Sequence, residues 1–489
     1  MPLSHPFRSA LTALAAAVIG AGLASAASPA PAQAAASSRR ICGTLCDGSP
    51  VARSSPYREA DSAVIDGRTI TLDIDDTDRT AYAAVGNGDP TDEVWLDRSW
   101  DGGKTWDSKI GDTRIPRAAR STTTTQWNLE KARATSVVRA CGKPGNRRQI
   151  ACTGWNPSRS APKPGTSWDR GAADALMSLY DRHAGLWRGT GWWNSANALT
   201  SLIDYMSATH DRRYLWVVAN TFDRDRSAKG GDFTNNFLDD TGWWALAWIR
   251  AYDLTHQQRY LRTAQADVDH MWSYHDNVCG GGVWWSSAKK YKNAITNELL
   301  VKAATELHNR IPGDRKYLRA SLSTWKWFRT SGMINGQHLV NDGLDAGSCT
   351  NNHDTTWSYN QGVVLGGLVD LARATHDRGY LRQAEALADA STRASSLNRN
   401  GVLTEPCEAG DCGPDGPSFK GIYVRNLGEL ARATSSSSYR TYLKREATAA
   451  HDRDRASYDE YGIHWAGPTG PITGATQQSA VDLMVAALH

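Results

Sequence analysis

Charge of one sign is nearly lacking: 55 lysines and arginines against 51 aspartates and glutamates leave a formal net charge of +4. Phosphate recognition announces itself through clustered Lys and Arg, so neither nucleic acid nor an acidic polymer is the expected partner. Long apolar runs are also lacking beyond the N-terminus, where Arg8 precedes the run Ala10 to Ala26 and the small-x-small pattern Ala32-Gln33-Ala34. That arrangement predicts an export signal over residues 1–34. Nothing later approaches the ~18–20 apolar residues that a membrane span needs, so the mature chain is expected to be secreted and free of the membrane. No histidine spacing completes a zinc ligand set with the 8 cysteines, and neither metal nor cofactor is expected. An even cysteine count in an exported chain points instead to disulfides. The short separations Cys42/Cys46, Cys141/Cys152 and Cys407/Cys412 suggest local pairs, leaving Cys279 and Cys349 over. Phenylalanine is scarce, at 6, whereas tryptophan reaches 20. Trp joins a broad apolar face to an N–H donor, which suits stacking on a sugar ring while bonding a hydroxyl, although any single Trp serves equally well in a core.

The chain changes character near residue 165. Before it, Ala63-Val64-Ile65, Ile70 to Ile74 and Thr80 to Val85 read as short strands separated by turns. Ser99-Trp100-Asp101-Gly102-Gly103-Lys104-Thr105-Trp106 resembles the Asp-box hairpin, a tight Asp/Gly turn closed by an aromatic. A β-rich accessory domain is therefore expected over 41–155, with a Pro/Ser/Lys-rich linker at 156–165. Beyond it, Ala208-Thr209-His210-Asp211-Arg212-Arg213-Tyr214-Leu215 recurs in form at 254–261, 313–318 and 374–381, with a looser copy from Ala433 to Leu443. Such a unit fits two helices and two loops, one helix ending at the Thr and the next starting with the Tyr-Leu pair. The segments before each motif (about 193–208, 237–254, 294–309, 358–374 and 419–433, with a last near 476–488) are rich in Ala, Gly and Leu, and those after it carry more charge. Six inner helices surrounded by outer ones are expected, an all-α domain over 166–489 forming an (α/α)6 toroid of six helical hairpins. Periodicity alone leaves an open superhelix as the alternative.

Two adjacent carboxylates, Asp239 and Asp240, open one inner helix ahead of Thr241-Gly242-Trp243-Trp244. Two acids in a first turn complement the helix dipole, which is the plain reading. On a helix, successive side chains diverge by about 100°, so the pair also fits around a small object such as a glycosidic bond, one carboxyl ionised and the other protonated. Polar and aromatic clusters open the inner helices, this one included: Trp192-Trp193-Asn194, Asn235-Asn236-Phe237, Thr296-Asn297-Glu298, Trp357-Ser358-Tyr359-Asn360-Gln361 and Phe419-Lys420-Gly421. Capping explains one Asn or Ser per helix but not the accompanying aromatics, and a carbohydrate cleft accounts for both. Asn194, Asn236, Asn297, Tyr359, Asn360, Gln361 and Lys420 are the expected sugar-hydroxyl contacts, with Trp193, Trp243 and Trp357 as stacking platforms. Asp342, in Asn341-Asp342-Gly343, is a further candidate ligand, set against a plain turn role.

Asp239-Asp240 with Gly242 to Ala247, Ile295-Thr296-Asn297, Tyr359-Asn360-Gln361-Gly362 and Phe419-Lys420-Gly421 together resemble glycoside hydrolase family 76, the bacterial endo-α-1,6-mannanases and their fungal relatives, over about 166–489. The resemblance implies an (α/α)6 fold and cleavage of internal α-1,6 linkages of mannan with retention. It further implies that Asp239 is the nucleophile and Asp240 the acid/base. A monomer acting on α-1,6-linked mannan or mannooligosaccharides is expected. The alternatives are a cell-wall mannan transglycosylase on the same fold and a non-catalytic carbohydrate-binding protein, which would usually have lost one carboxylate of the pair.

Overall fold

The structure, a computed structural model, describes residues 46–488 apart from 52–56, 77, 132–133, 146, 159–165, 182–183 and 228–230. The expected export signal and Cys42 lie outside the described residues. Among those described, no helix is long and apolar enough to cross a membrane.

Alternation of apolar and polar residues builds the N-terminal part. Strands Arg58–Ile65, Arg68–Asp75 and Thr80–Gly86 form one antiparallel sheet, extended by Thr122–Thr123 and Trp127–Asn128. A second sheet orders Ala151–Cys152, Val137–Lys143, Glu93–Ser99 and Asp107–Arg114. Ile70, Leu72, Ile74, Ala81, Ala83 and Val85 from the first sheet join Val94, Leu96, Val138 and Ala140 from the second in one core, as period-2 patterning requires. The Asp-box segment joins Glu93–Ser99 to Asp107–Arg114, and its role is structural. Asp101 accepts the backbone N–H groups of Lys104 (3.0 Å) and Thr105 (2.9 Å) and the Thr105 hydroxyl (2.7 Å). Asn156–Pro157 pairs with Val137–Lys143, so the sheet extends into the stretch expected to be linker.

Twelve α-helices follow among the described residues: α1 (Trp168–Ser178), α2 (Trp192–Thr209), α3 (Leu215–Asp225), α4 (Leu238–Thr255), α5 (Gln258–Trp272), α6 (Ala294–His308), α7 (Lys316–Phe328), α8 (Ser358–Thr375), α9 (Gly379–Ser391), α10 (Phe419–Thr434), α11 (Ser437–Arg453) and α12 (Gly474–Ala486). The even-numbered helices coincide with the six expected inner segments. They pack in succession, α2 on α4, then α6, α8, α10 and α12, and α12 packs on α2. Each of α4, α6, α8 and α10 also packs on the helix after it, and α1 packs on α12. The sixth outer position thus falls to the helix that precedes the repeats. The helical core, which includes Trp244, Trp248, Leu299, Leu365, Tyr423 and Met484, is separate from that of the sheets. The two parts meet where Ser62 Oγ donates to Asp181 (3.3 Å) and Arg188 donates to the Ala60 carbonyl (3.5 Å).

The recurring Thr-His motif has a local cause. Thr209, Thr255 and Thr375 each donate a hydroxyl to the carbonyl four residues back, all at 2.7 Å. The next residue, His210, His256 or His376, turns left-handed at φ 59°, 57° and 57° and ends the helix. The copy at 313–318 works differently: Asp314 Oδ1 accepts the N–H groups of Lys316 (3.0 Å) and Tyr317 (3.2 Å) at the start of α7.

A second recurrence holds the loops at the other end of the inner helices. Asn297 on α6 accepts the Val283 N–H (2.8 Å) and donates to the Val283 carbonyl (3.0 Å). Gln361 on α8 does the same to Val340, at 2.8 Å both ways. Gln477 on α12 accepts the Tyr461 N–H (2.9 Å) and donates to the Ala172 and Asp459 carbonyls (3.0 and 3.1 Å). Asn194 accepts the Gly191 N–H (3.1 Å) and donates to Ser418 Oγ (2.8 Å). All four amides are buried. Disulfides Cys141–Cys152 and Cys407–Cys412 match the expected local pairs, and the two leftover cysteines join as Cys279–Cys349.

Two outcomes follow from this architecture. A chain beginning at Thr166 is expected to fold and unfold cooperatively, because its core is separate; an insoluble or molten product by circular dichroism would make the sheets an integral support. Asn297→Ala is expected to lower the unfolding free energy by about 1–3 kcal/mol, because it leaves the buried polar groups of Val283 unpaired. A loss under roughly 0.5 kcal/mol, the range of ordinary surface substitutions, in chemical denaturation would contradict that role.

Candidate active site

Asn235 starts the site. Its Oδ1 accepts the Phe237 N–H (2.8 Å), a local turn that sets the chain for α4. Leu238, the first residue of α4, donates its N–H to the Trp285 carbonyl (2.8 Å), and Phe237 pairs with Ser286. Asp239 and Asp240 therefore stand in the first turn, where backbone N–H groups favour anions, and the loop that follows α5 is fastened beside them.

The two carboxyls are each half-buried and have different partners. Asp239 Oδ2 accepts the Trp285 indole N–H at 3.0 Å, while its Oδ1 is shielded from solvent and makes no hydrogen bond. Asp240 Oδ2 accepts the Asn235 amide at 2.6 Å. Burial pushes the Asp239 carboxyl well above the usual carboxylate range, and the charge of Asp240 adds to this. The Trp285 N–H and the backbone N–H groups of Asp239 and Asp240 act in the opposite direction. Two acids so close titrate as a unit, so the pair keeps one proton at a pH where isolated aspartates are ionised.

Aromatic rings from four inner helices meet beside the pair. Trp193 (α2) stacks on Trp243 (α4) at 5.6 Å, Trp243 on Tyr359 (α8) at 6.4 Å, Tyr359 on Phe419 (α10) at 4.0 Å and Phe419 on Trp193 at 6.2 Å. Trp357 meets Phe419 edge-on at 5.6 Å. Trp193 also donates its N–H to Asp415 (2.8 Å). On the α6 side, the Tyr291 hydroxyl donates to Asp342 (2.5 Å) and accepts the Asn352 amide (2.9 Å). Burial raises the Asp342 carboxyl. Glu298, one turn into α6, is buried with neither carboxylate oxygen hydrogen-bonded, and burial followed by the charge of Asp342 lifts it well above the ordinary range. Burial raises the Tyr359 phenol too, as do the charges of Asp342, Asp239, Glu298 and Asp415, in that order. Tyr359 thus stands among four carboxyl groups.

Of the residues predicted from sequence, Asp239, Asp240, Trp193, Trp243, Asp342, Trp357 and Tyr359 gather at this end of the inner helices. Trp243 is buried between its neighbours, so it backs the ring cluster and offers no open face. Asn194, Asn297 and Gln361 depart from their expected role, their amide groups being engaged by loop backbone or by Ser418. Lys420 departs likewise: it is buried against Glu408 (2.6 Å) and the Ile463 carbonyl (2.6 Å). Asn360 is fully buried with neither amide atom hydrogen-bonded. Asn236 is exposed and bonded to Ser287, and it is Asn235 that reaches the pair. Sequence reading missed Asn235, Trp285, Glu298 and the exposed Phe237, whose ring lies 5.0 Å from that of Trp285. Asn235 was open to detection, as an Asn two residues before a helix start; Trp285, 45 residues along from Asp240 by number, carried no signal.

Three comparisons bear on identity. The curated mannan endo-1,6-alpha-mannosidase DCW1 of Eremothecium gossypii is 26% identical over 269 residues, 50% of this chain and 59% of that protein. DCW1 of Candida albicans is 28% identical over 260 residues, 48% and 57% of the two chains. The chain thus spans less than two thirds of the length of these relatives. An inactive variant of the α-1,6-mannanase GH76A of Salegentibacter sp. HEL1_6, with two consecutive aspartates changed to asparagine and α-1,6-mannotriose bound, superposes with a TM-score of 0.61 at 26% identity, covering 65% of this chain and 98% of that one. The sequence model described as glycosyl hydrolase family 76 matches residues 168–489, from the first residue of α1 onward and well over half of the sequence, and the chain belongs to that family.

Proposed function

We propose that this protein is a retaining glycoside hydrolase that cleaves internal α-1,6-mannosidic linkages of mannan outside the cell. The observation that carries the reading is the adjacent pair Asp239 and Asp240 at the start of α4, each with its own donor, beside an aromatic cluster from four helices. The closed order of contacts from α2 through α12 and back supports an (α/α)6 toroid as the scaffold. The names of the relatives support the substrate, and the leader-like N-terminus supports export.

In the proposed reaction the mannan chain lies across the N-terminal ends of the inner helices, against Trp193, Phe237 and Trp357, with Asp342 and Tyr359 toward its hydroxyls. Asp239 attacks the anomeric carbon as the glycosidic bond breaks, and Asp240 gives its proton to the departing oxygen. Asp240, now ionised, takes a proton from water, which displaces Asp239 and releases the sugar. The pair begins each cycle with one proton, which is the state that burial and mutual repulsion favour.

Asp239→Asn and Asp240→Asn are each expected to lower turnover on α-1,6-mannooligosaccharides by several orders of magnitude. Azide should restore activity to Asp240→Asn alone on a substrate with an activated leaving group, by attacking the covalent intermediate without base help. Near-native turnover in either variant would move the chemistry elsewhere. Elongated or transferred mannan in place of shorter chains, with an added sugar acceptor present, would identify a transglycosylase.

Stability gives an independent sign. A carboxyl raised on folding binds its proton more tightly in the folded state. Its contribution therefore turns unfavourable as pH rises above the unfolded value of about 4. Asp239→Asn should melt higher than the parent near pH 7, the gap closing toward pH 4. If the charge only complemented the helix dipole, the same substitution would cost about 0.3–1 kcal/mol at neutral pH, and the melting shift would have the opposite sign.

A further inference from the structure

Two carboxyls that share one proton need something to decide which of them holds it, because only an ionised nucleophile and a protonated acid can begin the reaction. Neighbouring charges decide poorly here. Glu298 on α6, Asp342 and Asp415 in the loops, and Tyr359 on α8 all face the site. Tyr291 is bound to Asp342, and His270 on α5 is half-buried and shifted toward its neutral form. The neighbouring charge that acts on Asp239 is that of Asp240, and among the described residues no lysine or arginine forms an ion pair with Asp239.

The uncharged donors are asymmetric. Trp285 is fastened on both sides, its N–H to the Tyr291 carbonyl and its own carbonyl to the Leu238 N–H, each at 2.8 Å. Its indole N–H is thereby aimed at Asp239 Oδ2, at 3.0 Å. The Asn235 side chain is fixed by its Oδ1, which holds the Phe237 N–H, leaving Nδ2 to Asp240. Each side chain gives one N–H to its carboxylate, and on Asp239 the indole N–H adds to the backbone N–H groups of Asp239 and Asp240, which favour the anion.

We propose that Trp285 and Asn235 are positioning residues that place the shared proton: Trp285 keeps Asp239 ionised for attack, and Asn235 holds the Asp240 carboxyl and sets the pH at which it gives up its proton. This rests on the reading of the pair as nucleophile and acid/base. Both donors act by stabilising the ionised form of the group they touch. Removing the Trp285 N–H must therefore move ionisation of the nucleophile to higher pH, and removing the Asn235 amide must move loss of the acid's proton to higher pH.

The test is the pH dependence of kcat/KM on an α-1,6-mannooligosaccharide for the parent enzyme, Trp285→Phe, Asn235→Ala and Asn235→Asp. Trp285→Phe keeps a ring against Phe237 and should raise the acid limb by about one pH unit, with the alkaline limb little moved. Asn235→Ala should raise the alkaline limb by a similar step. Asn235→Asp keeps the acceptor for the Phe237 N–H, places a third carboxylate beside Asp240 and should raise that limb further. Because Glu298, Asp342 and Tyr359 are the same in every variant, only the shifts relative to the parent are read. Activity that falls equally at all pH values with both limbs in place would show loop support alone and overturn the proposal, as would the same shifts on exchanged limbs. Asp240→Asn runs alongside as the control on the underlying reading: a parent-like alkaline limb in that variant would remove Asp240 as the acid, whatever the donors do.

Discussion

A buried amide must find hydrogen-bond partners, and much of this site depends on how that obligation is met. Asn297 and Gln361, each in the first turns of an inner helix, close two hydrogen bonds on a single loop residue, Val283 and Val340 respectively. Two residues beyond Val283 stands Trp285, and two beyond Val340 stands Asp342. The clip on α6 thus holds the indole that touches Asp239, and the clip on α8 holds the carboxyl that receives Tyr291. Leaving such a group unpaired costs on the order of 1–3 kcal/mol, enough to fix a loop that has no regular structure of its own. The helices supply rigid ends, and the amides convert that rigidity into placement of side chains brought from elsewhere in the chain.

Charge is organised along the same axis. At the end of the inner helices that carries the pair, Asp239, Glu298 and Asp342 are acids raised by burial, and among the described residues none of them has an ion-pair partner. Further along α6, one and two turns beyond Glu298, Lys302 and Glu306 belong to a compensated cluster. Lys302 reaches Asp370 on α8 (3.0 Å), Glu429 on α10 (2.6 Å) and Glu306 (3.2 Å). Arg425 on α10 holds Asp482 on α12 (2.7 Å) and Asn197 on α2 (3.0 Å). Breaking such buried pairs is costly, so these contacts tie facing helices together, while the uncompensated acids lie where a substrate is proposed to bind. The protein thereby separates charges that support the scaffold from charges kept poised for proton transfer.

The architecture was largely legible in the sequence, for local reasons. Thr-His ends a helix through one hydroxyl and one left-handed residue, a signal contained in adjacent positions, and Ala/Gly/Leu-rich segments marked the inner helices to within a residue or two. The pair Asp239-Asp240 was legible because the two acids are contiguous. The amides were misread for a single physical reason. Amides at the starts of inner helices look the same in sequence whether they face a sugar or a loop, and only the fold shows that Asn297 and Gln361 bond loop backbone and that Asn194 bonds Gly191 and Ser418. Choosing Asn236 over Asn235 was the same error at one-residue scale: both are polar, and the turn that aims one of them is set by the Phe237 N–H. Trp285 is brought to Asp239 by the hydrogen bond between its carbonyl and Leu238, a contact that composition and periodicity do not encode.

In the proposed reaction Asp239 and Asp240 divide the work into attack and proton transfer through a covalent intermediate. The stereochemistry of the first product tests this most directly. Proton NMR of α-1,6-mannooligosaccharide hydrolysis, read before mutarotation, should show the new reducing end appearing as the α-anomer, since two displacements at one carbon restore its configuration. Initial appearance of the β-anomer would mean a single displacement by water, leaving no nucleophilic role for Asp239, and would contradict the account.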